Sequence, residues 1–183
     1  MYRKSFYIVL RIHYIVDLNA KIIRYHTIKN RMDPTLKIKY TLDALFGTGV
    51  SRHLPRDIRI THSKRTGRIQ HVYQNDTLLS TLRTDGGLAI TPHFAQILMK
   101  SKKFRENCLE VDDESRSFIE DGKSVFCKHV KWCGKNVLIG SDVPVLHDGL
   151  VIAVGKAVLS SRMIRSLKRG VAVRVRDSLK SPE

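Results

Sequence analysis

Cysteine is scarce and unpaired in this 183-residue sequence. Cys108, Cys127 and Cys133 are an odd number with no CxxC among them, which excludes a disulfide framework or a zinc ribbon as the basis of the fold. Long apolar runs are missing too. Residues 6–10 follow Arg3 and Lys4 in the manner of a secretion signal, but Arg11, His13 and Asp17 break the run well before the roughly 18 apolar residues of a membrane span. No small-residue cleavage site follows. There is no GxGxxG, P-loop, GxSxG or HExxH, and no pair of histidines at metal-ligand spacing, so the common signatures of cofactor, hydrolase and zinc-protease chemistry are absent. Acidic residues are few. Against 17 Asp+Glu stand 33 Lys+Arg, a formal net charge of +16, and such an excess is self-repulsive unless a polyanion offsets it. Nucleic acid is the first candidate and an anionic membrane surface the second.

What is present supports folding: 42% hydrophobic residues, with 11 Gly and 5 Pro to punctuate them, describe a globular chain of one or two small domains. Residues 1–31 stand apart as a basic N-terminal extension, with Arg3, Lys4, Arg11, Lys21, Arg24, Lys29 and Arg31 against Asp17 alone and no Gly or Pro. They are compatible with one or two strands or with a segment peripheral to the fold, and Met32 is a conceivable alternative start. Residues 36–49 form a helical or extended approach closed by Gly47 and Gly49. Residues 58–83 alternate as half-buried strands with turns at 65–67 and 74–76, which predicts three antiparallel strands. A turn at 85–87, a strand at 88–90 and the N-cap pair Thr91-Pro92 ahead of a two-turn helix complete a small α+β domain over 32–105. The polar run 100–105 reads as a linker.

The second domain, 106–183, opens with a helix capped by Asp112 or Asp113 and closed by a left-handed Gly122. Strand-length apolar stretches follow at 125–130, 137–139, 143–146, 150–154 and 171–175, with Asp148-Gly149 as a hairpin turn. Their close spacing predicts a compact barrel or sandwich. One helix, from Ser160 or Ser161 to Gly170, interrupts them, with Met163, Ile164 and Leu167 as its apolar stripe and Arg162, Arg165 and Arg169 on another face.

Binding features outnumber catalytic ones. In a Cys127, His129, Cys133 set, residues 127 and 129 would share one strand face, but a fourth metal ligand is missing. Lys64, Arg65 and Arg68, with Arg59, give the 58–72 hairpin four cations and no acid, and residues 160–180 carry seven cations against Asp177. Both are candidate phosphate contacts.

The segments FIEDGKSVFCKHV (118–130), AVGKAVLSS (153–161) and KRGVAVRVR (168–176) resemble the PUA domain. Upstream, ALFGTG (44–49) and residues 63–90 are similar to the region just before that domain in archaeal, archaeosine-forming tRNA-guanine transglycosylases. The resemblance spans about residues 38–177. It implies a small α+β domain followed by a PUA-type β-barrel with short helices, in a cytoplasmic protein that binds tRNA or another structured RNA. It also implies no catalysis, cofactor or metal in this chain alone, because that family's base exchange belongs to a separate barrel of roughly 250 residues whose aspartates and zinc cluster have no counterpart here. A separately encoded transglycosylase catalytic subunit is then an implied partner; a subunit completing another tRNA-modifying enzyme and a translation-associated adaptor are the alternatives. By the same resemblance, RNA contacts fall on Gly122, Lys123, Ser124, Val125, Phe126 and Lys128, and on Arg169, Gly170 and Arg174, with one of Val125 and Phe126 turned to the core. Trp132 either stacks on a base or packs against the first domain.

Overall fold

The structure is a computed structural model that describes residues 33–180; the expectations for residues 1–31 lie outside them. Asp33 opens the first helix, α1 (Pro34–Phe46), by accepting the Thr35 N–H at 3.0 Å ahead of a proline at the first helical position, the pairing of cap and fixed φ that starts helices. A four-stranded antiparallel meander follows, β1 (Ile58–His62), β2 (Ile69–Gln74), β3 (Thr77–Leu82) and β4 (Leu88–Ile90), in the order β1-β2-β3-β4. The expected Thr91 cap is present: its hydroxyl accepts the Phe94 N–H at 3.2 Å and opens α2 (Pro92–Leu98). The run 100–105 is not a free linker, because α3 (Lys102–Arg105) anchors Phe104, fully buried and edge-on to Phe46 at 5.2 Å. Burying one such ring is worth about 1.5–3 kcal/mol, which overrides the polarity of its neighbours.

The second half is a six-stranded sheet curled into a nearly closed barrel. β5 (Leu109–Val111) leads to α4 (Asp113–Glu120), then come β6 (Val125–Phe126), β7 (Val130–Cys133), β8 (Asp142–His147), β9 (Leu150–Ala157), α5 (Ser161–Ser166) and β10 (Val171–Ser178). The order is β6-β10-β9-β8-β5-β7, antiparallel except for the parallel β5–β8 pair. β6 and β7 are therefore the two edges, and they are consecutive in sequence. The chain crosses the seam between them by a single 3-10 turn, Cys127–His129, and for that reason the apolar run 125–130 is not one strand.

Residues 131–133 supply most of β7. Two further expectations are corrected. Residues 137–139 form a turn, with Leu138 N–H on Ser141 Oγ and Gly140 N–H on the Ala157 carbonyl, so Leu138 and Ile139 face solvent. The last helix stops at Ser166, and of its expected stripe only Ile164 is buried.

Two apolar cores result. One fills the barrel; the other lies between α1, the meander, α2 and α3, and is closed on one side by Leu146, Val151 and Val154 of β8 and β9. β9 is thus buried on both faces, consistent with its near-continuous apolar run. Within it, a Cβ at Gly155 would run into the Arg174 carbonyl and a methyl of Val173. Gly155→Ala is expected to lower stability by about 1–3 kcal/mol, measured by chemical denaturation, since the obstacle is main chain that cannot rotate away.

Candidate nucleic-acid interface

The candidate site is built around the barrel seam. Asp112 caps α4 with one carboxylate oxygen, which accepts the Ser115 N–H at 3.0 Å, and meets His129 Nδ1 at 2.9 Å with the other. Burial pushes the Asp112 carboxyl up, but the bonds from His129 and Ser115 outweigh it, so the group titrates below the ordinary carboxylate range. Asp113 binds buried His147 Nε2 at 2.7 Å. The helix start is thereby tied to the seam turn on one side and to the end of β8 on the other.

At the far end Gly122 takes φ +80°, with its N–H on the Ile119 carbonyl and the Lys123 N–H on the Phe118 carbonyl, both at 2.9 Å. This is a Schellman cap, which favours glycine at the left-handed position. It has a chemical consequence, because two main-chain donors that the glycine loop could offer a phosphate are engaged within the cap. The Lys123 ammonium and the Ser124 hydroxyl remain as donors there.

Beyond the cap, α4 and the β6 edge form the walls of a groove of about 720 Å³, with exposed Phe118 and Phe126, flanked by Lys123, Ser124, Lys128 and His129. Rings on the walls and cations at the rim can take a base face and a phosphate together. Val125 is 1% exposed and points into the barrel, so only its main chain is near the groove. The groove also uses Phe118 and His129; the sequence offered Phe118 only within the segment 118–130 and His129 only as a metal candidate.

The other expected contacts are dispersed. Gly170 accepts the Cys127 N–H at 3.0 Å and so holds the seam turn from the β10 side, with exposed Arg169 beside it. Arg174 is exposed on β10 opposite Lys156 of β9; neither Arg169 nor Arg174 lines the groove. Lys64, Arg65 and Arg68 are exposed at the tip of the β1–β2 hairpin, in the other sheet, and have no ion-pair partner among the described residues. Trp132 packs against the first core, with the Arg105 guanidinium 5.4 Å from its ring centre.

The Cys127, His129, Cys133 set is split. Both thiols are buried within the barrel core, and burial pushes Cys133 up to about 11, away from the thiolate that zinc requires, whereas His129 faces out to Asp112. Two other clusters, Asp112/Glu114/His129 and Asp113/His147/Asp148, bring donor atoms within 4.8 Å of one another, but their closest pairs are the hydrogen bonds that hold α4. No helix among the described residues is long and apolar enough to cross a membrane.

Residues 107–179 match the PUA domain, and residues 37–104 match the patch-forming domain C2 of tRNA-guanine transglycosylase. Over 152 residues the chain is 32% identical to the tRNA-guanine(15) transglycosylase of Methanothermobacter thermautotrophicus, and over 144 residues 35% identical to that of Thermoplasma acidophilum. These matches cover 81% and 77% of this chain, which spans only about a quarter, 23%, of either relative. Among solved structures, a hypothetical protein from Pyrococcus horikoshii aligns with TM-score 0.65 at 20% identity, covering 80% of this chain and 90% of that one. A conserved PUA domain protein from Thermoplasma acidophilum aligns with TM-score 0.56 at 18% identity, over 78% of this chain and 91% of the other. Both likenesses are of fold.

Proposed function

We propose that this chain, whose residues 107–179 match the PUA domain behind a match to the C2 patch-forming domain at 37–104, binds structured RNA, tRNA first, and performs no chemistry of its own. The observation that carries this reading is the seam groove, where Phe118 and Phe126 lie beside Lys123 and Lys128 with no carboxylate in its walls. The relatives are tRNA-guanine(15) transglycosylases, which favours tRNA among the structured RNAs. The matches to these enzymes support a role as an RNA-handling tail, proposed to act in the cytoplasm beside a separately encoded transglycosylase catalytic subunit. The proposed contact set is Lys123, Ser124, Phe126 and Lys128 at the groove, Gly122 and Val125 through their main chain, Arg169, Gly170 and Arg174 toward β10, and the Lys64, Arg65 and Arg68 tip as a secondary contact.

Phosphate contacts should dominate the affinity, since cations far outnumber exposed aromatic rings. Log affinity for tRNA is expected to fall by about 0.7–0.9 per contacted phosphate per decade of salt. A titration from 50 to 200 mM salt checks this, and affinity flat over that range would overturn the reading.

A further inference from the structure

Lys128 forms part of two hollows, one on each side of the seam turn. The first is the groove against α4. The second, of about 460 Å³, lies between β7 and α5, and among its walls are Lys131, Trp132, Arg165, Leu167 and Lys168. Of the RNA contacts that the resemblance assigns by residue to the glycine loop and the last strand, only Lys128 touches it; Arg165 and Lys168 belong to the basic 160–180 run, which the sequence marked as cationic without a path or a partner element. Resting on the RNA-binding reading above, we propose that the RNA backbone does not end at the groove but passes over Lys128 into this second hollow, where Lys131, Arg165 and Lys168 take phosphodiester oxygens.

Three observations carry the step. The hollow has four cations in its wall and no carboxylate. Lys128 and Lys168 have no ion-pair partner among the described residues, and Lys131 reaches only Asp113, at 3.7 Å between side chains that are both at least half exposed, a pair that solvent screens almost completely. Their charge is therefore available to an incoming anion. Arg165 is also aimed in advance: one guanidinium nitrogen donates to the Cys133 main-chain carbonyl at 2.6 Å, fixing the planar group against β7 while its remaining N–H donors are free to fork onto phosphate oxygens. Less ordering is then needed on binding than for a mobile surface arginine. Val130, Ile164 and Leu167 share the wall with these cations, and a wall of mixed apolar and cationic side chains suits a backbone crossing a surface better than a hydrated free ion. Continuity through Lys128 selects RNA over a separate small phosphoryl ligand.

The test compares wild type with R165E/K168E and, as a control for net charge, K37E/K39E on exposed positions of α1. Oligoribonucleotides of increasing length are titrated at several salt concentrations, and melting curves verify folding. Wild-type affinity is expected to rise in a step once the RNA is long enough to pass Lys128. R165E/K168E should lose that step, weaken roughly tenfold for the longer RNA at low salt, and reduce the salt slope by about 1.4–1.8, two phosphates' worth, while binding the shortest oligomers like the control. K168E alone, which breaks no bond seen in the structure, should move in the same direction if the double variant unfolds. Indistinguishable behaviour of R165E/K168E and the control at every length overturns the proposal. So does stabilisation by millimolar pyrophosphate with no effect of RNA length, which would make the hollow a small-phosphoryl site. Failure of wild type to bind any RNA would instead remove the functional reading on which the path rests.

Discussion

Asp142→Ala is expected to lower folding stability by about 3 kcal/mol, the largest loss from a single polar substitution in the described structure. Asp142 is the start of β8 and its side chain is only 6% exposed. Arg83, at the end of β3, reaches it at 2.9 and 3.2 Å, and Arg176 of β10 pairs with it while also donating to the Ile90 carbonyl of β4 at 2.6 Å. One carboxylate thus clasps the meander to the barrel from both sides. Burial works against the Arg83 charge, but its bonds to Asp142 more than compensate and hold the guanidinium firmly protonated. Removing the carboxylate leaves two guanidinium groups facing each other with nothing between them. The lower end of the range for breaking a buried pair applies because both arginines keep partial access to water, 25% and 34%. For a chain of this size the loss corresponds to a fall of roughly 6–12 °C in Tm. Calorimetry of D142A, with D142N as the isosteric step, reads it; a Tm within 2 °C of wild type would mean that the clasp is open in solution.

The second large effect concerns affinity. Lys123→Glu combined with Lys128→Glu is expected to weaken tRNA binding by roughly 100-fold at 50 mM salt, against less than about tenfold for Lys64→Glu with Arg65→Glu. The difference lies in what holds each pair. Lys123 follows the Schellman cap of α4, and Lys128 sits in a turn pinned by Gly170 and by the Asp112–His129 bond. The hairpin lysine and arginine stand on a tip, and each must lose up to about 2 kcal/mol of rotamer freedom to hold a phosphate. Gly122→Val separates two causes of lost binding: the strained φ lowers stability by about 1 kcal/mol, visible in a melt, whereas a blocked approach weakens affinity at unchanged Tm. Filter binding at fixed salt ranks the variants, and a hairpin pair more damaging than Lys123 and Lys128 would move the RNA path to the first sheet.

Local chemistry was legible in the sequence wherever a residue type dictates its own geometry. Asp112 and Gly122 bracket α4 as caps, Thr91-Pro92 opens α2, and Asp148-Gly149, both at positive φ, turns the β8–β9 hairpin. Failures arose where the deciding partner lies far off in the chain. Val137, Leu138 and Ile139 have strand composition, yet a hydroxyl at Ser141 and a carbonyl at Ala157 fold them into a turn. Phe104 sits in a polar run, and only the distant ring of Phe46 makes it an anchor. The seam divided the candidate site in the same way: the interval from Val125 to Val130 reads as one strand until the sheet order shows that its ends must lie on opposite edges. The cations of α5 were visible as a face, but nothing near them in sequence shows that β7 lies across from them.

The sheet order also dictates when each half can become stable as the chain is synthesised. β10 lies between β6 and β9, so the barrel has a missing middle strand until residue 178, almost the last described, has been made. The meander waits as well, because its core is closed by Leu146, Val151 and Val154, some 40 residues beyond the end of α3 at Arg105. At ribosomal rates of about 5–20 residues per second, its apolar underside stays uncovered for about two to eight seconds after its own last helix emerges. The N-terminal half is therefore not an early-folding unit awaiting a partner: it matures late, together with the strands that follow it, and during that interval it is the part of the nascent chain most open to chaperones.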